Sequence, residues 1–451
     1  MRSTPLVIDV IVKNDLCVGC GICVVQCPSQ ALRMDWNYLG FLVPVQIGNC
    51  DNERDCIDVC PFNPDPKVDV RSEDEISDRF LTQATIKSDK IGTYINLYAG
   101  YSLEHRSTSS SGGLATYVSK QLLRQGIVDF VVAVRECNDP HAHFEYGVIK
   151  AEDEVVAFSK TRYYPVTLAK AIQKVKELDG YVAVSGIPCF IKALRLAQYK
   201  DLTLKAKVLF TIGIFCGGLK SKLYTDFLAA SLNVDKLKVI SPQYRIKDFN
   251  SRASDYSFGF VNADTGNYEM IKMSLLGDMW GTGLFKANAC DFCDDVTAEL
   301  ADISLGDAWI EPYDVDGAGT NVIITRTPLA DQLINRGIEE GDLIIDRISE
   351  SIVVQTQRGS FNHRHNGLGF RIDLARRNGI VIPPKRKLNE TSFFFKLVQR
   401  QRIKLRKESL ELFVAPISFS SYVKHINSRR KRLRFITRVY HFYNNRIKKF
   451  L

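Results

Sequence analysis

Apolar and polar positions alternate with two different periods along the middle of this chain. Short β-rich runs at Val128–Val134, Tyr181–Ser185 and Val208–Phe215 read as strands, while Leu114–Arg124 and Leu168–Leu178 carry the three-to-four-residue spacing of amphipathic helices. From Tyr98 onward this mixture predicts an α/β body. Near the end the pattern changes. Leu433, Ile436, Val439 or Tyr440, Tyr443, Ile447 and Phe450 fall on one helical stripe, and Arg429, Arg430, Lys431, Arg432, Arg434 and Arg438 fill the opposite side and the entry. That is a basic amphipathic helix. Phe393-Phe-Phe-Lys-Leu-Val398, followed by Arg400, Arg402, Lys404, Arg406 and Lys407, is a weaker copy of it.

Proline punctuates the start. Pro61-Phe-Asn-Pro-Asp-Pro66 breaks regular structure and leads into an acidic polar stretch from Arg71 to Arg79, so residues 64–98 read as a linker. The rest divides into an N-terminal unit, 1–63, a catalytic body, 99–384, and a tail, 385–451. No internal repeat appears beyond a duplicated cysteine run.

Charge separates the tail from everything before it. Residues 385–451 hold 19 Lys plus Arg against 3 Glu, a net +16 in a chain whose total is only +9. A length of 451 residues suits about two to four domains, each with its own core. No run approaches the ~18 apolar residues of a membrane span, and no secretory leader pattern opens the chain. The expectation is a cytoplasmic protein, with the tail offering a peripheral contact at the inner face of the membrane.

The chain has 12 cysteines, which a secreted chain would use for disulfides. Here they sit in metal-type groups. Cys17-Val-Gly-Cys20-Gly-Ile-Cys23-Val-Val-Gln-Cys27-Pro28 fits the bacterial ferredoxin spacing at every position, and zinc sites seldom place four cysteines so closely and close them with proline. In two-cluster ferredoxins the last cysteine of a run ligates the other cluster. Cys17, Cys20, Cys23 and Cys60 are therefore assigned to one 4Fe-4S cluster, and Cys27, Cys50 and Cys56 to a second. Glu53 stands where the second run should have a cysteine. The second centre is left open between a 3Fe-4S cluster, a 4Fe-4S cluster with Glu53 or water on one iron, and a metal-free relic.

Two kinds of loop carry further chemistry. Arg106-Ser-Thr-Ser-Ser-Ser111-Gly112-Gly113 precedes an apolar helix, where hydroxyls can cap and glycine lets a phosphate approach free N–H groups; plain capping is the competing reading. Cys189 and Cys216 follow strands, and Cys290-Asp-Phe-Cys293 adds a C-x-x-C pair. Each single cysteine suits a small buried hydrophobe. Together the four supply thiolates for a third cluster. Cys137 has no partner in sequence, and His141, His143 and His363 read as ordinary surface or core histidines.

These landmarks stand in order with Ser110-Ser-Gly-Gly113, Thr161-Arg162-Tyr163, Gly186-Ile-Pro-Cys189, Phe215-Cys216, Tyr244-Arg245-Ile-Lys247 and Ala301-Asp302-Ile-Ser304-Leu-Gly306-Asp307. From about residue 14 to about 384 the chain resembles the family of coenzyme F420 hydrogenase/dehydrogenase beta subunits. The resemblance implies an α+β protein, a bacterial-ferredoxin-like domain followed by a mixed α/β flavin and iron–sulfur body. It implies FAD near Ser110, Ser111, Gly112 and Gly113, with Arg245 and Lys247 as further cofactor-binding residues. Arg162 and Tyr163 fall where catalysis is expected, Arg162 replacing the family's common Lys. Cys189, Cys216, Cys290 and Cys293 are given to the third cluster. Asp302 and Asp307 read as turn-capping residues rather than contacts to flavin hydroxyls.

Two functions compete. One is an oxidoreductase taking electrons from ferredoxin, another redox carrier or a deazaflavin, and reducing an organic substrate, with surface-polysaccharide synthesis one setting the family allows. The other is an electron-transfer subunit serving a partner's active site. For the tail, an anionic membrane is the first reading, then an acidic protein, then a solvated tail; no nucleic-acid module accompanies the charge.

Overall fold

The computed structural model describes residues 4–51, 54–137, 139 and 141–444. Its frame is an eight-stranded mixed sheet. Four parallel strands occupy the centre in the order Ile303–Asp307, Val208–Ile214, Val182–Gly186 and Phe130–Glu136. Phe144–Ile149 closes one edge antiparallel, and Asn321–Thr325, Asn96–Ser102 and Leu343–Arg347 extend the other. The central strands are covered on both faces, which explains near-continuous apolar runs such as Val182-Ala-Val184, all fully buried. Gly186, Gly213 and Ser304 form one row across three neighbouring strands, so the loops that follow open from a single sheet edge.

Sequence periodicity located these elements well. Leu114–Arg124 is helical over the expected span, burying Leu114, Tyr117, Val118 and Leu122, while the expected helix at 168–178 covers Ala169–Glu177. The first strand begins two residues later than expected, at Phe130. A second, three-stranded antiparallel sheet comprises Val239–Ile246, Ser257–Asn262 and Tyr268–Lys272. Its register is irregular between Gln243 and Ile246, where the buried Tyr244 and Arg245 lie.

The N-terminal unit holds a hairpin, Leu32–Trp36 with Leu42–Gln46, and two short helices, Ile22–Val25 and Asp55–Asp58. It has no separate core. Leu16, Ile22 and Ile57 share one apolar cluster with Ile172, Phe190, Leu194 and Leu300 of the body. At the seam the carbonyl of Cys20 accepts from the Leu168 N–H at 2.9 Å.

The segment expected to be a linker is folded. Within 64–98 lie the helix Glu73–Phe80, opened by a capping box between Ser72 and Glu75, and a hairpin of Ile86–Ser88 with Gly92–Tyr94. Its final residues begin the sheet strand at Asn96, so the body starts ahead of residue 99. Acidic composition suggested solvation. In fact Glu73 is buried, 2.9 Å from Lys192 Nζ, and Ile76 is fully buried.

The tail also departs from expectation. Phe393–Val414 and Phe419–Phe442 form a helical hairpin packed on the body rather than a free membrane-facing helix. Leu433 and Tyr440 of the apolar stripe are buried, Tyr440 stacking on Phe395 at 4.8 Å, and Tyr422 packs against Phe227, Phe285 and Phe413. Each large apolar side chain buried this way contributes roughly 1.5–3 kcal/mol, whereas an exposed ion pair contributes about 0–1 kcal/mol, so intramolecular packing claims the stripe. Ile447 and Phe450 lie outside the described residues. Among the described residues no helix is long and apolar enough to cross a membrane.

Candidate cluster and cofactor site

Cysteine spacing becomes geometry first in the N-terminal unit. Burial pushes the Cys17 thiol up to about 12 and the Cys20 thiol to about 11, with backbone N–H groups, Gly19 on Cys17 among them, opposing the shift. Cys23 and Cys60 are raised well above the usual thiol range by burial and then by the negative charges of their neighbours, Cys20 and Cys17 acting on both. All four lie within electrostatic reach of one another, and Cys56 acts on Cys23 and Cys60 as well. Cys56 is raised by burial, and the charges of Cys27 and Cys50 add to this, which brings the second set together. Glu53, the expected carboxylate corner of that set, lies outside the described residues. Buried thiols crowded like this ionise only beside positive charge, which iron would supply.

The other four cysteines meet at the open sheet edge. Cys189 sits in the first turn of the helix Pro188–Lys200, just after the strand ending at Gly186, where the helix N-terminus favours a thiolate. Cys216 follows the neighbouring strand that ends at Ile214, and Cys290 and Cys293 come from the short helical turn at Asn288–Phe292 and its end. The Cys189 thiol is raised by burial, then by Cys216, Cys293 and Cys290, and finally by Cys20. That last influence links this group to the N-terminal unit. Carboxyl ends of parallel strands are where open α/β sheets place their ligands. Among the described residues no three His, Cys, Asp or Glu side chains close on a single metal ion, and thiolates around a cube stand apart by the cube's width.

Hydrogen bonds reach these sulfurs from two directions. The Leu219 N–H donates to Cys290 Sγ at 3.2 Å, and Arg364 Nη1 donates to Cys293 Sγ at 3.2 Å. Both would be ordinary outer contacts of a cluster. Trp280 packs over Gly217, beside Cys216, and meets the Tyr163 ring at 4.6 Å. An aromatic path thus leads from the cysteine group to Tyr163.

The Ser/Gly loop lies nearby and is built without spare room. A Cβ on Gly112 would sit 2.6 Å from the Gly100 carbonyl oxygen and 2.8 Å from the Asn321 nitrogen. Gly113 has φ +83° as the N-cap of the helix Leu114–Arg124, in the left-handed region that glycine occupies without penalty. Capping falls to Asn321, whose Oδ1 accepts from the Leu114 N–H at 3.1 Å. Ser110 Oγ accepts from the Thr161 N–H at 2.9 Å, so the loop is tied directly to the Thr161-Arg162-Tyr163 segment. Ser111 Oγ donates to the Thr320 carbonyl at 3.2 Å. Lys247 Nζ donates to the carbonyls of Ser111, at 2.9 Å, and Arg106. Burial, aided by Arg106 and Arg245, lowers its pKa to about 7.

Two arginines face this region with unused donors. Arg245 Nη1 pairs with Asp307 Oδ2 at 2.8 Å, but its buried Nε and the buried Asp307 Oδ1 have no partner. Arg162 stands 4.9 Å from the Phe144 ring and 3.8 Å from Glu136, leaving Nε and Nη1 buried and unpartnered. Asp307 and Glu136 end two of the four parallel strands, so both arginines are anchored at the edge that carries Cys189 and Cys216. Buried donors without acceptors are uncommon in native folds and fit a site for an anionic, hydrogen-bonding group. Tyr163 is raised well above the usual phenol range by burial, then by Tyr256.

Asp302 belongs elsewhere. Its carboxylate accepts from Arg195 Nη2 at 2.9 Å and from both the N–H and hydroxyl of Thr211 at 2.7 Å, a buried structural network. His363 is a buried partner of Lys286, and His143 packs on Tyr164. Sequence reasoning missed Glu136, Trp280 and Arg364. Trp280 alone had a signal, as one of only 3 tryptophans.

Residues 16–63 match the 4Fe-4S dicluster domain. Residues 97–173 match the N-terminal part of the coenzyme F420 hydrogenase/dehydrogenase beta subunit and residues 179–351 its C terminus, together more than half of the chain. The coenzyme F420-dependent sulfite reductase of Methanocaldococcus jannaschii is 24% identical over 72% of this chain, which spans 46% of that protein. The beta subunit of coenzyme F420 hydrogenase from Methanothermobacter thermautotrophicus is 25% identical over 56% of this chain and 84% of its own. A chain of the F420-reducing [NiFe] hydrogenase complex from Methanosarcina barkeri, solved with xenon, superposes with a TM-score of 0.51 at 19% identity, covering 67% of this chain and 99% of that one. The match is one of fold. With its iron–sulfur motif, its α/β body and both halves of the family pattern in place, the chain belongs to the family of coenzyme F420 hydrogenase/dehydrogenase beta subunits.

Proposed function

We propose that this protein is a flavin-dependent iron–sulfur oxidoreductase that carries electrons between a one-electron carrier and a hydride-exchanging substrate. One observation carries the reading. At a single sheet edge, four mutually interacting cysteines lie within electrostatic reach of Cys20, and two arginines with unused donors are anchored at the same edge. A 4Fe-4S cluster on Cys189, Cys216, Cys290 and Cys293 fits that set, and FAD fits the Ser110–Gly113 cradle. Clusters pass single electrons, whereas a bound flavin can take them singly and deliver them in pairs as hydride.

The residues have separable tasks. Gly112 and Gly113 let the loop close tightly on Gly100, Asn321 and His105 at the start of Leu114–Arg124, where the helix dipole favours a phosphate beyond the Leu114 N–H that Asn321 already holds. Lys247 holds the back of the loop and can add a proton's charge there. Arg162 and Arg245 supply fixed positive charge for an anionic isoalloxazine or acidic substrate, in a buried setting where such charge is strongest. Tyr163 and Trp280 exclude water between this place and the cysteines.

The names of the relatives support coenzyme F420 as one two-electron partner, and the cluster domain suits a ferredoxin-type single-electron carrier. A second reading, an electron-transfer subunit of a larger complex, draws support from relatives named as subunits.

Anaerobic purification with iron, sulfide and flavin analysis tests the reading. Three full cubes give roughly twelve irons, one fewer with a 3Fe-4S second centre, beside one FAD. Reduced coenzyme F420 or a nicotinamide should then bleach the flavin, and reduced ferredoxin the clusters. Stoichiometric zinc with no flavin would refute it.

A further inference from the structure

We propose that Arg364 is a positioning residue that raises the reduction potential of the Cys189, Cys216, Cys290 and Cys293 centre, making it the place where electrons collect. The inference rests on the reading that these thiols hold an iron–sulfur cluster. Arg364 lies beyond both family-model matches, which end at residue 351. It stands in the helical turn Asn362–Asn366, which packs against the end of the short helix bearing Cys290, and it is only 2% exposed.

The cysteines are the strongest opposite charges acting on it, ahead of Asp295. Arg364 Nη1 donates to Cys293 Sγ at 3.2 Å and to the Asp295 carbonyl, and among the described residues it forms no ion pair with a carboxylate. Most neighbouring acids are already engaged, and the Asp295 carboxylate accepts from the Thr297 and Glu299 N–H groups at 2.9 and 3.0 Å. Asp291 pairs with Lys286 at 2.6 Å and Arg406 at 2.9 Å, Asp294 with Lys385 at 3.1 Å, and Glu299 with Arg386 at 3.0 Å. A buried, unpaired guanidinium is costly unless an anion faces it. Here the thiolate group is the foremost such anion, with Asp295 behind it. Cys216 feels it too, burial raising its thiol and Arg364 opposing the rise.

The sign follows from charge. Reduction adds one negative charge to the centre, and a cation hydrogen-bonded to its sulfur in a dry site stabilises that state. With clusters bound, an electron passing from the Cys17, Cys20, Cys23 and Cys60 set to this one would break no bond and move no proton. At Cys17 the corresponding donor is a neutral backbone N–H, from Gly19 at 3.4 Å.

EPR-monitored redox titration of the anaerobic full-length protein decides the matter, with the third centre's signal identified by its loss in Cys290→Ala. Arg364→Gln should shift electron sharing between the third and N-terminal centres at least tenfold toward the latter, which is 59 mV for a one-electron couple. Arg364→Lys keeps a charge but not the planar fork, so a several-fold shift in the same direction is expected. Should Arg364→Gln shed that centre's iron, the Lys variant decides alone. Native potentials in the variants that retain the signal would overturn the inference and leave the cluster reading standing. If Cys290→Ala removes no signal, the cluster reading itself fails.

Discussion

Arg406, on the first tail helix, donates from Nε to Oδ2 of Asp291 at 2.9 Å, and both side chains are buried. Asp291 lies between Cys290 and Cys293, so the tail is fastened to the loop that carries half of the third cysteine set. A basic segment that looked detachable is a wall of the candidate site.

This contact predicts the effect of removing it. Arg406→Met should destabilise the fold by about 3 kcal/mol, the lower end for a broken buried pair because Lys286 still faces Asp291. Truncation after Pro384 should go further, releasing third-centre iron before N-terminal iron. Urea unfolding with iron analysis checks both; an intact iron content after truncation would show that the tail is dispensable to the site.

Gly113 gives a local test. Its φ of +83°, together with the His105 carbonyl carbon 2.7 Å from where a Cβ would stand, leaves no place for a side chain. Gly113→Ala should cost about 1 kcal/mol or more and abolish flavin retention while leaving cluster iron in place. Flavin absorbance after gel filtration, read against iron content, separates the two effects.

Lys247 makes flavin binding pH-dependent. With its pKa lowered to about 7 in the free protein, an arriving phosphate should raise it, so binding takes up a proton above that pH. Affinity should therefore fall up to tenfold per pH unit above about 7, and Lys247→Gln should flatten the profile. Stability runs the other way. Because the unfolded chain holds this proton to about 10.4, the penalty of the lowered pKa is greatest at low pH, and unfolding free energy of the flavin-free protein should rise between about 7 and 10. Fluorescence titration and denaturant melts across that range check both signs.

Glu53 remains the place to question the second centre. Glu53→Cys should yield a stable 4Fe-4S cluster with Cys27, Cys50 and Cys56, since thiolate is the softer and better donor for iron–sulfur iron. Identical EPR spectra before and after the change would remove Cys50 and Cys56 from the proposed ligand set.

What the sequence determined by itself was what short-range connectivity fixes. Four cysteines within eleven residues cannot lie far apart, so their spacing stated their chemistry, and the periods of Leu114–Arg124 and Val208–Phe215 stated which faces would be buried. The glycines of the Ser/Gly loop were legible for the same reason. Tertiary structure decided everything that depends on a partner distant in the chain. An amphipathic basic helix reads alike whether its stripe meets lipid or Phe395, and only the fold shows that Phe395 was available. Acidic residues at 71–79 resemble a solvated linker until Lys192 and Arg386 are brought to Glu73. Arg364 had no local pattern at all, because its meaning lies in a sulfur 71 residues away.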